Sequence, residues 1–145
     1  MMVLVDTSIW SLALRRTVTA LNPREQILTA ALRELIRDRF ANIIGPVRQE
    51  LLSGIRFESV FRQVREQLSA FEGPALEVAD YEEAAHTHNR CLTQGIAGSP
   101  VDFLLCAAAL RRDWQIFTTD LDFPRYARVV PVKLYEVPEP SNREL

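Results

Sequence analysis

The sequence predicts an α/β fold, a three-layer α/β/α sandwich around a mostly parallel central sheet of four to five strands. Two observations carry this. Short apolar runs such as Met2–Val5 and Ala41–Ile44 have the length and character of strands buried on both faces of a sheet. Between them lie longer segments whose apolar residues recur every three or four positions, as on one face of a helix. Alternation of this kind places helices on both faces of a parallel sheet.

Met2–Val5 is the first expected strand, and Asp6-Thr7-Ser8 offers N-cap side chains to a helix through Ile9, Trp10, Leu12 and Ala13. A polar loop then leads to Pro23, which suits the first turn of a helix extending to about Arg39. Its apolar face comprises Ile27, Leu28, Ala31, Leu32, Leu35 and Ile36. Ala41–Ile44 forms the second expected strand, stopped by Gly45-Pro46. A helix bearing Val47, Leu51 and Leu52 follows and closes at Gly54.

Val60, Phe61, Val64, Leu68 and Phe71 predict a helix over 57–71, and Gly73-Pro74 breaks the chain behind it. A third strand is expected over Leu76–Ala79, with Asp80 capping the next helix and Glu83 completing a capping box. That helix runs to Gln94. Pro100 starts another through Phe103, Leu104, Ala107, Ala108 and Leu110. Gln115–Thr119 is the fourth expected strand, a loop carries Asp120 and Asp122, and a last strand covers Val129–Leu134. Residues 1–135 thus read as one domain and 136–145 as an extended tail.

Composition narrows the class. At 145 residues, with 48% hydrophobic and 25% charged residues, the chain has the balance of an ordinary globular domain. No apolar run is long enough to span a bilayer and no basic segment precedes the first apolar stretch, so a cytoplasmic location is expected. Cys91 and Cys106 lack metal-ligand spacing and are expected as buried reduced thiols. His86 and His88, two apart on a helix, cannot clasp one ion and are expected to face solvent. There is no P-loop, no Gly-x-Gly-x-x-Gly and no nucleophile elbow.

What remains is acidic. Asp6 and Asp120 stand at the carboxyl ends of expected strands, where sites form in parallel sheets. Glu50 and Asp102 lie in the first turns of helices that can cover the same edge. Clustered carboxylates repel one another unless a hard divalent cation sits among them. The grouping therefore points to a metal-dependent phosphodiesterase, with Mg²⁺ or Mn²⁺ activating water and stabilising charge at phosphorus. Asp6 and Asp102 are expected as the main direct ligands. Glu50, Asp120 and Asp122 would act through waters or hold a second ion. Thr7, Ser8 and Thr119 are the expected supporting hydroxyls.

Four segments together resemble the PIN-domain ribonucleases: 3–8 (Val-Leu-Val-Asp-Thr-Ser), 46–54 around Glu50, 100–108 around Asp102, and 117–123 around Asp120. In size and opening the chain is similar to the VapC toxins. The resemblance implies an endoribonuclease dependent on Mg²⁺ or Mn²⁺, with Asp6, Glu50, Asp102 and Asp120 as its acidic site, Asp122 being the alternative to Asp120 for the fourth acid, and structured RNA such as tRNA or rRNA as substrate. It also implies a homodimer and a VapB-like antitoxin. RNA would need a positive rim around this negative pocket. Arg48 and Arg56, flanking the Glu50 segment, are the leading candidates for it, ahead of Arg15, Arg16, Arg111 and Arg112. The competing readings are a housekeeping RNA-processing PIN nuclease and a non-catalytic PIN-like module for RNA or protein. A dehalogenase-type phosphatase is excluded because Ser8 stands where it needs a second Asp. A receiver domain is excluded because Lys133, the only lysine, lies inside the last strand.

Overall fold

Four parallel strands in the order β2-β1-β3-β4 form the sheet of the computed structural model, which describes residues 1–16 and 20–138. β1 (Val3–Val5) is central because all three of its side chains are apolar, and each is completely buried. It pairs with β2 (Ala41–Asn42) through Val3 and Leu4, and with β3 (Gln115–Phe117) along its full length. β4 (Lys133–Leu134) adds to the far edge of β3. The α/β/α sandwich with a parallel sheet of four strands is the architecture expected.

Helices α1 (Thr7–Leu14) and α2 (Pro23–Arg37) connect β1 to β2. Part of the polar loop expected between them, residues 17–19, lies outside the described residues. Asn22 caps α2 in a full capping box with Glu25, and Pro23 sits in the first turn. From β2 the chain makes α3 (Gly45–Leu52), α4 (Glu58–Ser69), α5 (Val78–Thr93) and α6 (Pro100–Arg112) before entering β3. Gly54 adopts φ +83 just after α3, the left-handed turn that makes glycine the natural stop there. α6 is buried nearly all round. Its Ala107, Ala108 and Ala109 let it lie close under α5 and against β3.

Three local expectations need correction. No strand forms over Leu76–Ala79: Val78 opens α5, Glu77 is its N-cap, and Asp80 sits three residues beyond it. The physical reason is an ion pair. Asp80 is fully buried and grips Arg112 and Arg111 from the end of α6, while also accepting the Glu77 backbone N–H at 2.8 Å. The last strand is only Lys133–Leu134, because Asp122–Tyr126 coils into a short helix, α7, and Ala127–Val130 continue it as turns and a bend. His88 is half-buried and stacks on Phe103 at 4.6 Å, while His86 is exposed as expected. Cys91 and Cys106 are free and buried, and burial pushes both thiols up. Of the expected tail, residues 139–145 lie outside the described residues.

Candidate metal centre

The carboxyl ends of β1 and β3 and the first turns of α1, α6 and α7 surround one cleft of about 570 Å³. Asp6, Thr7, Ser8, Glu50, Gly98, Ser99, Asp102, Asp120 and Asp122 all line it. All four acids expected at the site, together with Asp122, therefore meet at one place. The sheet does this: β1 and β3 are neighbours in parallel register, so both release their chains at the same edge.

Asp6 follows β1 and is nearly buried. Its Oδ1 accepts the Thr7 backbone N–H at 2.8 Å, capping α1. Its Oδ2 accepts the Thr118 hydroxyl at 2.7 Å and the Ser8 hydroxyl at 3.0 Å. Glu50, exposed on α3, accepts the Thr7 hydroxyl at 3.0 Å. Asp102 lies in the first turn of α6, whose N-cap is Ser99, and its Oδ2 accepts the Tyr126 hydroxyl at 2.7 Å. Asp120 donates its backbone N–H to the Thr118 hydroxyl at 2.9 Å, and its Oδ1 accepts the Asp122 backbone N–H at 2.9 Å.

Thr118 thus ties Asp6 to the Asp120 turn, whereas Thr119 contributes only its backbone N–H, to Ser8. The hydroxyl expected from Thr119 comes from its neighbour. Strand alternation carried this signal: in an extended segment, residues 116, 118 and 120 share one side, so a site-facing Asp120 selects Thr118. Tyr126 has no comparable mark in sequence, because it reaches Asp102 across 24 residues.

One carboxylate oxygen from each of Asp102, Asp120 and Asp122 lies within 4.8 Å of the others. Asp6, expected as a direct ligand with Asp102, lines the same cleft, and its two oxygens accept three protein hydrogen bonds. Among the described residues, no lysine or arginine comes within ion-pairing distance of Asp6, Glu50, Asp102 or Asp120. Asp122 alone has a cationic neighbour, Arg125 at 3.5 Å. Burial raises the pKa of Asp102 above the usual carboxylate value. The charges of Asp6 and Asp120 push the same way, and the Tyr126 hydrogen bond opposes them. An all-oxygen donor set whose negative charge is offset only by Arg125 at Asp122 fits a hard ion such as Mg²⁺ or Mn²⁺.

The arginines divide sharply. Arg48 is turned away from solvent and donates to the carbonyls of Leu68 at 2.8 Å and Phe71 at 2.6 Å, closing the end of α4. Arg111 and Arg112 are held by Asp80. Arg56 remains in an open groove with Arg15 and Arg16, walled by Leu14, Ile55 and Phe57. This groove sits at the far end of α1 from Thr7, about 12 Å along the helix axis. Trp10 is buried in the core, and the ring of Trp114 lies under Arg112.

No curated protein matches the chain significantly in sequence. Solved structures match it in fold. FitAcB from Neisseria gonorrhoeae is 19% identical with a TM-score of 0.73, covering 93% of this chain and 97% of that one. VapBC2 from Rickettsia felis, bound to a DNA fragment from its promoter, is 16% identical with a TM-score of 0.72, covering 93% and 98%. A toxin–antitoxin complex from Klebsiella pneumoniae is 18% identical with a TM-score of 0.62, covering 91% and 99%. A model of the PIN domain matches residues 3–129, nearly the whole described chain and every acid of the cleft, so this protein belongs to the PIN-domain family.

Proposed function

We propose that this protein is a metal-dependent endoribonuclease that acts as the toxin of a VapBC-type toxin–antitoxin pair. The observation that carries this reading is the meeting of Asp102, Asp120 and Asp122 in one cleft with Asp6 and Glu50 on its walls. A bound Mg²⁺ or Mn²⁺ supplies Lewis-acid stabilisation of phosphate charge and acidifies a coordinated water. The chain's part is to hold and aim the ligands. Asp102, Asp120 and Asp122 form the cation's cradle. Asp6 and Glu50 extend the negative field along α1 and α3, each oriented by a neighbouring hydroxyl. Thr7, Ser8 and Thr118 are those positioning hydroxyls, and Thr119 supports Ser8 through its backbone.

RNA would approach over the α1 side, where Arg15 and Arg56 offer positive charge beyond the acidic cleft. Residues 1–135 act on this reading as one nuclease domain, with 136–145 as its tail. No described helix is long and apolar enough to cross a membrane, in keeping with action on cytoplasmic RNA such as tRNA or rRNA. A VapB-like antitoxin is the proposed partner, supported by the toxin–antitoxin complex from Klebsiella among the similar folds. A homodimer belongs to the same reading. Val78, Tyr81 and Leu92 leave an exposed apolar row on one side of α5 that suits a protein contact.

The test is cleavage of a total small-RNA pool in Mn²⁺, against EDTA and an Asp102→Asn control. Discrete products that vanish in both controls are expected. Cutting that survives Asp102→Asn would sink the active-site assignment, and metal binding without any cleavage would favour a non-catalytic module. Thr118→Val is expected to slow cleavage by about 10–100-fold, the usual cost of losing a group that orients a ligand. Circular dichroism should show its fold unchanged; a rate within about twofold of the parent, far short of that cost, would remove Thr118 from the site.

A further inference from the structure

Tyr126 is completely buried, yet its hydroxyl is committed to a single group, the Oδ2 of Asp102, at 2.7 Å. Its ring packs against those of Phe103 and Phe123, each with its centroid 5.2 Å away. Gly98 closes the remaining side: a Cβ there would collide with the Tyr126 hydroxyl and come within 2.8 Å of Phe103. The phenol therefore has one position, and Asp102 is the group it serves. Burying a phenol without a partner is costly, so the pair constrains both residues.

We infer that Tyr126 is a positioning residue that holds the Asp102 carboxylate in the orientation a small octahedral cation requires, with Gly98 providing the room. The inference rests on the metal-centre reading above and goes beyond it. Mg²⁺ demands near-ideal octahedral ligand directions, and Mn²⁺, also smaller than Ca²⁺, takes the same six-coordinate oxygen sites, while Ca²⁺ accepts more ligands in flexible directions. A carboxylate released from the phenol loses direction without losing charge. Affinity for the exacting ion suffers most, and the site becomes less selective.

The experiment is calorimetric titration of the metal-free full chain with Mn²⁺ and, separately, with Ca²⁺. Wild type is compared with Tyr126→Phe and with Val130→Ala, which trims the same buried core after α7 but leaves Phe103, Phe123 and the hydroxyl in place. Tyr126→Phe is expected to weaken Mn²⁺ binding about tenfold or more and Ca²⁺ binding less, so the Mn²⁺/Ca²⁺ affinity ratio falls. Val130→Ala is expected to preserve that ratio. Unchanged Mn²⁺ affinity in Tyr126→Phe overturns the inference and leaves the proposed function standing. Equal losses in both variants also overturn it, since packing would then explain the effect. Wild type that binds no Mn²⁺ overturns the metal-centre reading itself. Should Tyr126→Phe not fold, Gly98→Ala decides: displacing the hydroxyl from the other side must lower the same ratio, and an unchanged ratio refutes the role.

Discussion

Asp102→Asn is expected to abolish cleavage, by at least about 100-fold, while leaving the metal-free protein as stable as wild type or more so. The activity loss follows because groups that merely orient a ligand already cost up to about 100-fold when removed. The stability gain follows from the raised pKa of Asp102, caused first by burial and then by Asp6 and Asp120. An acid whose folded pKa lies above its unfolded value binds more protons when folded. It therefore favours the folded state less and less as pH rises through the interval between the ordinary value of 3.8 and the raised one. At neutral pH the carboxylate is a net liability without a cation, and asparagine removes that charge while still accepting the Tyr126 hydroxyl. Thermal melts in EDTA at pH 7 should place the variant at or above wild type. Adding Mn²⁺ to about 100 times its Kd should stabilise wild type by about 2.7 kcal/mol, or roughly 5–10 °C at this chain length, and the variant hardly at all. A variant that gains the full metal shift would remove Asp102 from the centre.

Asp80→Ala is expected to be the most destabilising single change, at about 3–5 kcal/mol. Asp80 is fully buried between α5 and α6, with Arg112 Nη1 and Nη2 on its two oxygens at 2.7 and 2.9 Å and Arg111 at 2.8 Å. Truncation leaves the Arg112 guanidinium without its counter-charge and the Glu77 N–H without an acceptor. The helix pair it holds is the one that carries Asp102. Here the sign of the pH effect reverses: Arg112 holds the Asp80 carboxyl well below the usual range, so its contribution is complete above the ordinary 3.8 and is lost as pH falls below it. Denaturation at pH 7 and pH 3 should show the gap between wild type and variant narrowing at the lower value. A gap below about 1 kcal/mol at pH 7 would mean the pair merely offsets its desolvation.

These two carboxylates show where a sequence reading succeeds and where it stops. Asp102 was legible as a residue of the cleft because it stands in the first turn of a helix, at the edge to which a parallel sheet delivers its other chain ends. Asp80, also in a first turn and also ahead of an amphipathic pattern, looked like a cap. Its arginine partners lie more than 30 residues away, at the end of another helix. Arg48 misled in the other direction: beside Glu50 in sequence, it spends its guanidinium on the end of α4.

By itself, the sequence determined the alternation of strands and helices, the parallel sheet and the edge where Asp6, Glu50, Asp102 and Asp120 gather. Those follow from apolar periodicity, caps and strand ends, all local and all written in consecutive residues. Tertiary structure alone decided that Asp102, Asp120 and Asp122 form the tight triad, that Thr118 rather than Thr119 joins the acids, and that the Tyr126 hydroxyl donates to Asp102. It also assigned Arg48, Arg111 and Arg112 to structural partners. The physical reason is range. A hydrogen bond or ion pair is set by ångström distances between side chains on separate elements, and those distances exist only after the helices have packed.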